Sequence, residues 1–169
     1  MKRDLRFESI YPYPPSVVWQ AISEPEALGQ WLMPVFDFAL EVGREFTFRV
    51  KPQPGWDGIV QCKVLEFQPE RLLRFSWQGG ALVTEVKFTL EPVADGTRLV
   101  LEHNGFDGLR AVIISTFLSG GWGKMTRAKL PAVLARLGGE EKISPLAEAE
   151  CQPTLPRRIL GGLTRYLPK

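Results

Sequence analysis

Leu72-Leu73-Arg74-Phe75-Ser76-Trp77-Gln78-Gly79-Gly80-Ala81-Leu82-Val83-Thr84-Glu85-Val86-Lys87-Phe88-Thr89-Leu90 is the stretch that decides the fold class. Leu73, Phe75 and Trp77 occupy alternate positions. So do Val86, Phe88 and Leu90, against Glu85, Lys87 and Thr89. A period of two places each set on one face of an extended chain. Gly79-Gly80 separates the runs as a turn does. Two strands of this kind read as neighbours with one face on a core and the other toward solvent.

The same reading extends in both directions. Ala94-Asp95-Gly96-Thr97 is a turn, because Asp-Gly tolerates positive φ. Arg98–Asn104 follows as a strand, with Leu99, Leu101 and His103 opposing Val100, Glu102 and Asn104. Toward the N-terminus, Gln68-Pro69-Glu70-Arg71 turns the chain after a long strand over Gly58–Phe67. Pro52-Gln53-Pro54-Gly55 is another turn, and Val35–Leu40 and Glu45–Val50 flank a hairpin turn at Val42-Gly43-Arg44. Six consecutive strands with turn punctuation predict an antiparallel meander, not βαβ units.

Before the meander, Asp4–Tyr11 reads as a strand, ended by Pro12, Pro14 and Pro15. Prolines pre-set a first helical turn, and Ser16–Ile22 follows as that helix. Ser23-Glu24-Pro25-Glu26 has capping-box spacing and predicts a second short helix ending near Trp31-Leu32. After the meander the period changes. Leu109, Val112, Ile113, Thr116 and Phe117 recur at helical spacing, and Leu130, Val133, Leu134 and Leu137 continue the pattern. Gly120, Gly121 and Gly123 predict a break, a kink or a close backbone approach, since glycine costs about 1 kcal/mol in a helix interior. Gly138-Gly139 closes the helix. The composition shifts beyond it, so the chain divides into a domain over 1–138 and a C-terminal extension over 139–169, expected to be mobile with one short helix at most.

The chain has 169 residues, a net charge of +2, 44% hydrophobic and 24% charged residues. Its 18 aromatic residues exclude a disordered chain, and the near balance of charge argues against a nucleic-acid partner. Cys62 and Cys151 lie far apart and outside any CxxC, so neither a disulfide framework nor a zinc site is expected. Reduced thiols and the absence of a visible signal peptide give a cytoplasmic expectation. No apolar run reaches membrane-spanning length, so stable membrane insertion is not expected. The single histidine, His103, rules out His–His metal sites, and no cofactor is called for.

A curved antiparallel sheet with one long helix across its concave face would bury both apolar surfaces. Phe46, Phe48, Phe75, Trp77, Phe88, Phe117 and Trp122 then either fill the interior or line a cavity. The ordered series Ile10, Pro14/Pro15, Val18-Trp19, Ala21 to Leu28, Trp31, Gly43-Arg44-Glu45-Phe46, Gly58, Val64 to Phe67, Pro69, Leu72 to Trp77, Val86 to Leu90, Gly96 to Leu99, Leu101, His103, Gly105-Phe106 and Gly121-Trp122 carries a resemblance. It resembles the START-like (SRPBCC) superfamily, and within it the family of homologues of the activator of the heat-shock protein ninety ATPase. The resemblance covers about residues 5–138.

It implies an α+β helix-grip fold: six to seven strands wrapped around a long C-terminal helix, with two short helices after strand one. It also implies a pocket between sheet and helix, of the kind that binds hydrophobic small molecules or lipids. Trp31, Phe48, Phe75, Trp77, Phe88, His103, Phe117, Trp122 and Met125 are the candidate ligand-contacting residues, with loops around Trp31 and Gly55 at the entrance. His103 is the first candidate for a polar anchor. The leading expectation is a binding protein without catalytic residues. The alternatives are a polyketide cyclase-, dehydratase- or hydrolase-like enzyme using the same pocket, or a chaperone-linked module with a protein partner. Oligomeric state is left open by the sequence.

Overall fold

Strands form where the alternation places them. The structure is a computed structural model and describes residues 1–139. The elements are β1 (Lys2–Tyr11), α1 (Pro15–Ser23), α2 (Pro25–Trp31), β2 (Val35–Phe36), β3 (Glu45–Arg49), β4 (Ile59–Gln68), β5 (Leu72–Gly79), β6 (Leu82–Val93) and β7 (Gly96–Asp107). A long helix follows as α3 (Leu109–Lys124), a π-helical stretch Met125–Lys129, and α4 (Leu130–Gly138). The seven strands make one sheet in the order β1-β7-β6-β5-β4-β3-β2, every neighbouring pair antiparallel. This is the α+β helix-grip architecture.

Register converts the alternation into a continuous apolar face. Leu73 pairs with Phe88, Phe75 with Val86 and Trp77 with Thr84 across β5 and β6. Val86 then meets His103, and Phe88 meets Leu101, across β6 and β7. All of these residues are buried. A slip of one position would turn every one of them to solvent, so the buried face fixes the register. Gly96, at the β6–β7 turn, has φ +137°, and a Cβ there would run into the Tyr11 carbonyl. Only glycine lets β1 end so close to that turn.

The opposite face of the sheet is polar and paired. Arg74 bridges Glu85 at 3.0 Å and Glu66 at 3.4 Å. Arg98 bridges Glu91 at 2.8 Å and Glu8 at 3.1 Å, and Lys63 reaches Glu45 at 3.3 Å.

Three local expectations are corrected. The strand over Val35–Leu40 shrinks to Val35–Phe36, because Asp37 takes a left-handed φ of 64° and its carbonyl accepts from Arg44 Nε at 2.7 Å. Ser23 does not form a capping box. Its hydroxyl donates back to the Trp19 carbonyl at 2.6 Å, and α2 starts from Glu24 with Pro25 in its first turn. The glycines at 120, 121 and 123 neither break α3 nor admit a close neighbour, since a Cβ on any of them would meet nothing within 4 Å.

The irregularity comes later, and Pro131 explains it. A proline ring clashes with the carbonyl four residues back and has no N–H to give it. The helix widens one turn ahead of Pro131, so that the Leu130 N–H bonds the Met125 carbonyl, five residues back. The Thr126 carbonyl, released by that widening, accepts the Tyr11 hydroxyl at 2.6 Å. Burial pushes the Tyr11 phenol up to about 12, so it stays a donor at any physiological pH. Past this seam, Gly138 packs against the Tyr13 ring and Gly139 ends the helix at φ 46°.

Candidate ligand pocket

The inner face of the sheet has two parts. Over most of it the aromatic residues fill the space. Trp31, Phe48, Phe75 and Phe88 are fully buried. Phe88 meets Trp31 edge-on at 5.9 Å between centroids, and Phe75 lies 6.0 Å from Phe88 and 6.2 Å from Phe48. These spacings are those of favourable aromatic contacts with no room between them.

His103 sits in the same packed region, and its polar atoms are fully engaged. The Trp122 indole N–H donates to Nδ1 at 3.0 Å. That assigns the remaining proton to Nε2, which donates to Thr84 Oγ1 at 2.7 Å. The Thr84 hydroxyl passes the chain on to the Trp77 carbonyl at 3.1 Å. Burial lowers the imidazole to a pKa of about 3, because an uncompensated cation is unfavourable in an apolar interior. His103 is therefore neutral, with both ring nitrogens bonded inside the protein.

The interior opens at one end of the sheet. A pocket of about 420 Å³ lies between the first turns of α3 and the ends of β4, β5 and β6. Its floor is Trp77 and Val60. The β3–β4 loop contributes Gly55 and Trp56, and the β5–β6 turn contributes Gly79 to Leu82. Helix α3 contributes Ala111, Ile114 and Leu118, and Asp107 and Arg110 bring opposite charges to the lining. The Trp56 side chain is half-buried and held by its indole N–H on the Ile59 carbonyl at 3.1 Å. Among the described residues the indole N–H groups of Trp77 and Trp19 have no hydrogen-bond partner, unlike those of Trp31, Trp56 and Trp122. The site is thus mostly apolar with a few polar groups at set positions, the usual make-up of a small-molecule site.

The nine candidate residues divide accordingly. Trp77 lines the pocket. Trp31, Phe48, Phe75, Phe88, His103 and Trp122 are buried in the packed part, and Met125 is partly buried against it. Phe117 points outward and is 78% exposed. Gly55, expected at the entrance, does border the pocket, whereas Trp31 is sealed inside.

Sequence reasoning missed Trp56, Val60, Asp107, Arg110, Ala111, Ile114 and Leu118. The helix residues were missed because the Leu109/Ile113/Phe117 stripe reads as the packing face. The face that packs is Ala111, Ser115 and Trp122. A usable signal existed. Counting back from Trp122 by seven and eleven residues lands on Ser115 and Ala111, small residues that let a helix approach a sheet.

No metal or membrane-spanning signature appears among the described residues. They hold no group of three or more His, Cys, Asp or Glu placed for an ion, and no helix long and apolar enough to cross a membrane. The expected extension over 139–169, including Cys151 and its short helix, lies outside the described residues apart from Gly139.

Solved structures share this architecture. Protein MLL2253 from Mesorhizobium loti is 29% identical with a TM-score of 0.72, over 79% of this chain and 98% of that one. SA2116 from Staphylococcus aureus, a protein of unknown function, superposes with a TM-score of 0.69 at 11% identity, over 80% and 95% of the two chains. DynU16, encoded in the dynemicin biosynthetic locus, matches at 21% identity and a TM-score of 0.61, over 82% of this chain and 48% of its own. Among curated proteins there is no significant match. A family model, that of the Activator of Hsp90 ATPase homolog 1-like proteins, matches residues 12–135. With that span of the fold accounted for, the chain belongs to the Activator of Hsp90 ATPase homolog 1-like family.

Proposed function

We propose that this protein binds a hydrophobic or lipid-like small molecule in the pocket between α3 and the β3–β4 and β5–β6 turns. The carrying observation is the apolar cavity of about 420 Å³ floored by Trp77. Such a volume suits a small organic molecule, and burial supplies about 25 cal/mol for each Å² of apolar surface removed from water. The Trp77 indole N–H, Asp107 and Arg110 orient the polar part of the ligand. The setting is cytoplasmic, in keeping with Cys62 as a free, buried thiol. Acid–base turnover of the cyclase kind finds less support, since His103 spends both nitrogens on Trp122 and Thr84.

The test is native mass spectrometry of freshly purified protein, followed by solvent extraction and titration with an apolar fluorescent dye. The variant Ile114→Trp fills the pocket from a partly exposed helix position. A one-to-one hydrophobic adduct or saturable dye binding in the wild type, lost in Ile114→Trp, is the expected result. A clean apo mass together with dye binding that Ile114→Trp does not change would overturn the proposal.

A further inference from the structure

The outward face of α3 carries an apolar stripe unlike any other surface among the described residues. Leu109, Ile113 and Phe117 are 67%, 52% and 78% exposed. At 100° per residue, these three and Lys124 fall within an arc of about 80°, opposite the buried Ala111, Ser115 and Trp122. Met1, 76% exposed, extends the apolar area, because its carbonyl accepts the Gly108 N–H at 2.8 Å beside Leu109. Three large side chains in line on one helix face are not scattered surface residues of the ordinary kind.

The charge along the C-terminal helical stretch has one sign. Residues 109–139 contain Arg110, Lys124, Arg127, Lys129 and Arg136 and no aspartate or glutamate. All five cations are exposed. None is ion-paired among the described residues. Arg3, hydrogen-bonded to Thr116 at 2.9 Å, adds a further cation at the flank. The acids that flank this stretch in sequence are Asp107, which precedes the helix and borders the pocket, and Glu140 and Glu141, which follow it.

We propose that the outward face of α3 docks onto an anionic lipid bilayer surface, with Leu109, Ile113 and Phe117 entering the headgroup boundary and the flanking cations on the lipid phosphates. Apolar side chains over a cationic helix, lying in the plane of the interface, are what such binding requires. The cations add attraction to anionic headgroups that salt screens. The helix lies on the surface and spans nothing. Arg110, Ile114 and Leu118 lie on the neighbouring side of the same helix, so docking brings the pocket to the membrane. The docking stands independently of what the pocket holds.

The experiment is sedimentation of the full chain with vesicles of phosphatidylcholine, alone or mixed with phosphatidylglycerol. We expect binding to the mixed vesicles only, falling at least about tenfold as salt rises from about 0.1 M to about 1 M, where the Debye length shrinks from about 10 Å to about 3 Å. Phe117→Glu and Ile113→Glu sit at exposed positions and should leave the circular dichroism and melting temperature unchanged. Each should weaken vesicle binding by about tenfold or more. Four outcomes would overturn the proposal. They are no binding to mixed vesicles, equal binding to neutral ones, and binding unchanged in both variants, which would place it elsewhere, for example on Arg157, Arg158 and Arg165. The fourth is a wild-type dimer that binds no vesicle and that Phe117→Glu makes monomeric.

Discussion

The two ends of the sheet's inner face use the same chemistry to opposite effect. Around Phe75, Phe88 and Trp31, rings from β5, β6 and α2 interlock at centroid distances of about 6 Å and leave no space. Around Trp77, Val60 and Ile114, similar side chains wall a cavity. The difference lies in what crosses the sheet. Over the filled end, α1, α2 and the C-terminal part of the long helix all pack down. At the open end only the first turns of α3 and the β3–β4 loop with Trp56 cover the sheet, and their contributions are small or half-exposed. Trp77 stands on the boundary, with Phe48 on one side at 5.6 Å and Trp122 on the other at 5.8 Å. Aromatic residues thus do not by themselves mark a binding site in this fold; the backbone layer above them decides.

Substitutions should separate the two ends sharply. Phe88→Ala, in the filled end, should cost about 3–5 kcal/mol in urea unfolding, because the truncated ring leaves a cavity that the strands cannot close. A cost under about 1 kcal/mol would mean that the filled end is not close-packed.

The acid limb of stability should come next. His103 is neutral in the folded state and takes up a proton below pH 6.5 once unfolded, so its contribution is complete above pH 6.5. It is lost as pH falls toward about 3, at up to about 1.4 kcal/mol per pH unit. His103 is the chain's one histidine, so its ring proton resonances are unambiguous. They should hold constant down to about pH 4 in the folded protein. Titration near pH 6.5 would show that the Trp122–His103–Thr84 chain is open.

At the hollow end the readout changes. Ile114→Ala removes part of a pocket wall, not part of a packed core. Unfolding free energy should change by less than about 1 kcal/mol, while affinity for an apolar dye should fall about tenfold. A stability loss as large as that of Phe88→Ala would erase the distinction between the ends. The smallest effect is expected outside both. Arg74→Ala removes bridges to Glu85 and Glu66 on a partly exposed face. It should shift stability by no more than about 1 kcal/mol, less at high salt.

The meander of the six later strands, most of its turns and the inward set Leu73, Phe75, Trp77, Val86, Phe88, Leu90, Leu99, Leu101 and His103 were legible from sequence alone, whereas the pairing of β1 with β7 was not. A strand offers two faces only, and the polar partners Arg74, Glu85, Lys87 and Glu102 leave one choice. The helix was legible in extent but not in rotation. Leu109, Val112, Ile113, Ile114, Phe117 and Leu118 surround most of its circumference, so periodicity names no single inner face. Packing turned Ala111, Ser115 and Trp122 inward: the two small residues let the helix sit close to the sheet, and Trp122 reaches His103. That choice turned Phe117 to solvent and Ile114 to the pocket. Tertiary structure also decided the role of His103. Its place on the inner face follows from alternation, but only the approach of Trp122 from the helix and Thr84 from the next strand occupies both nitrogens. Alternation is a property of one strand, whereas helix rotation, a cavity and a hydrogen-bonded imidazole arise where separate elements meet.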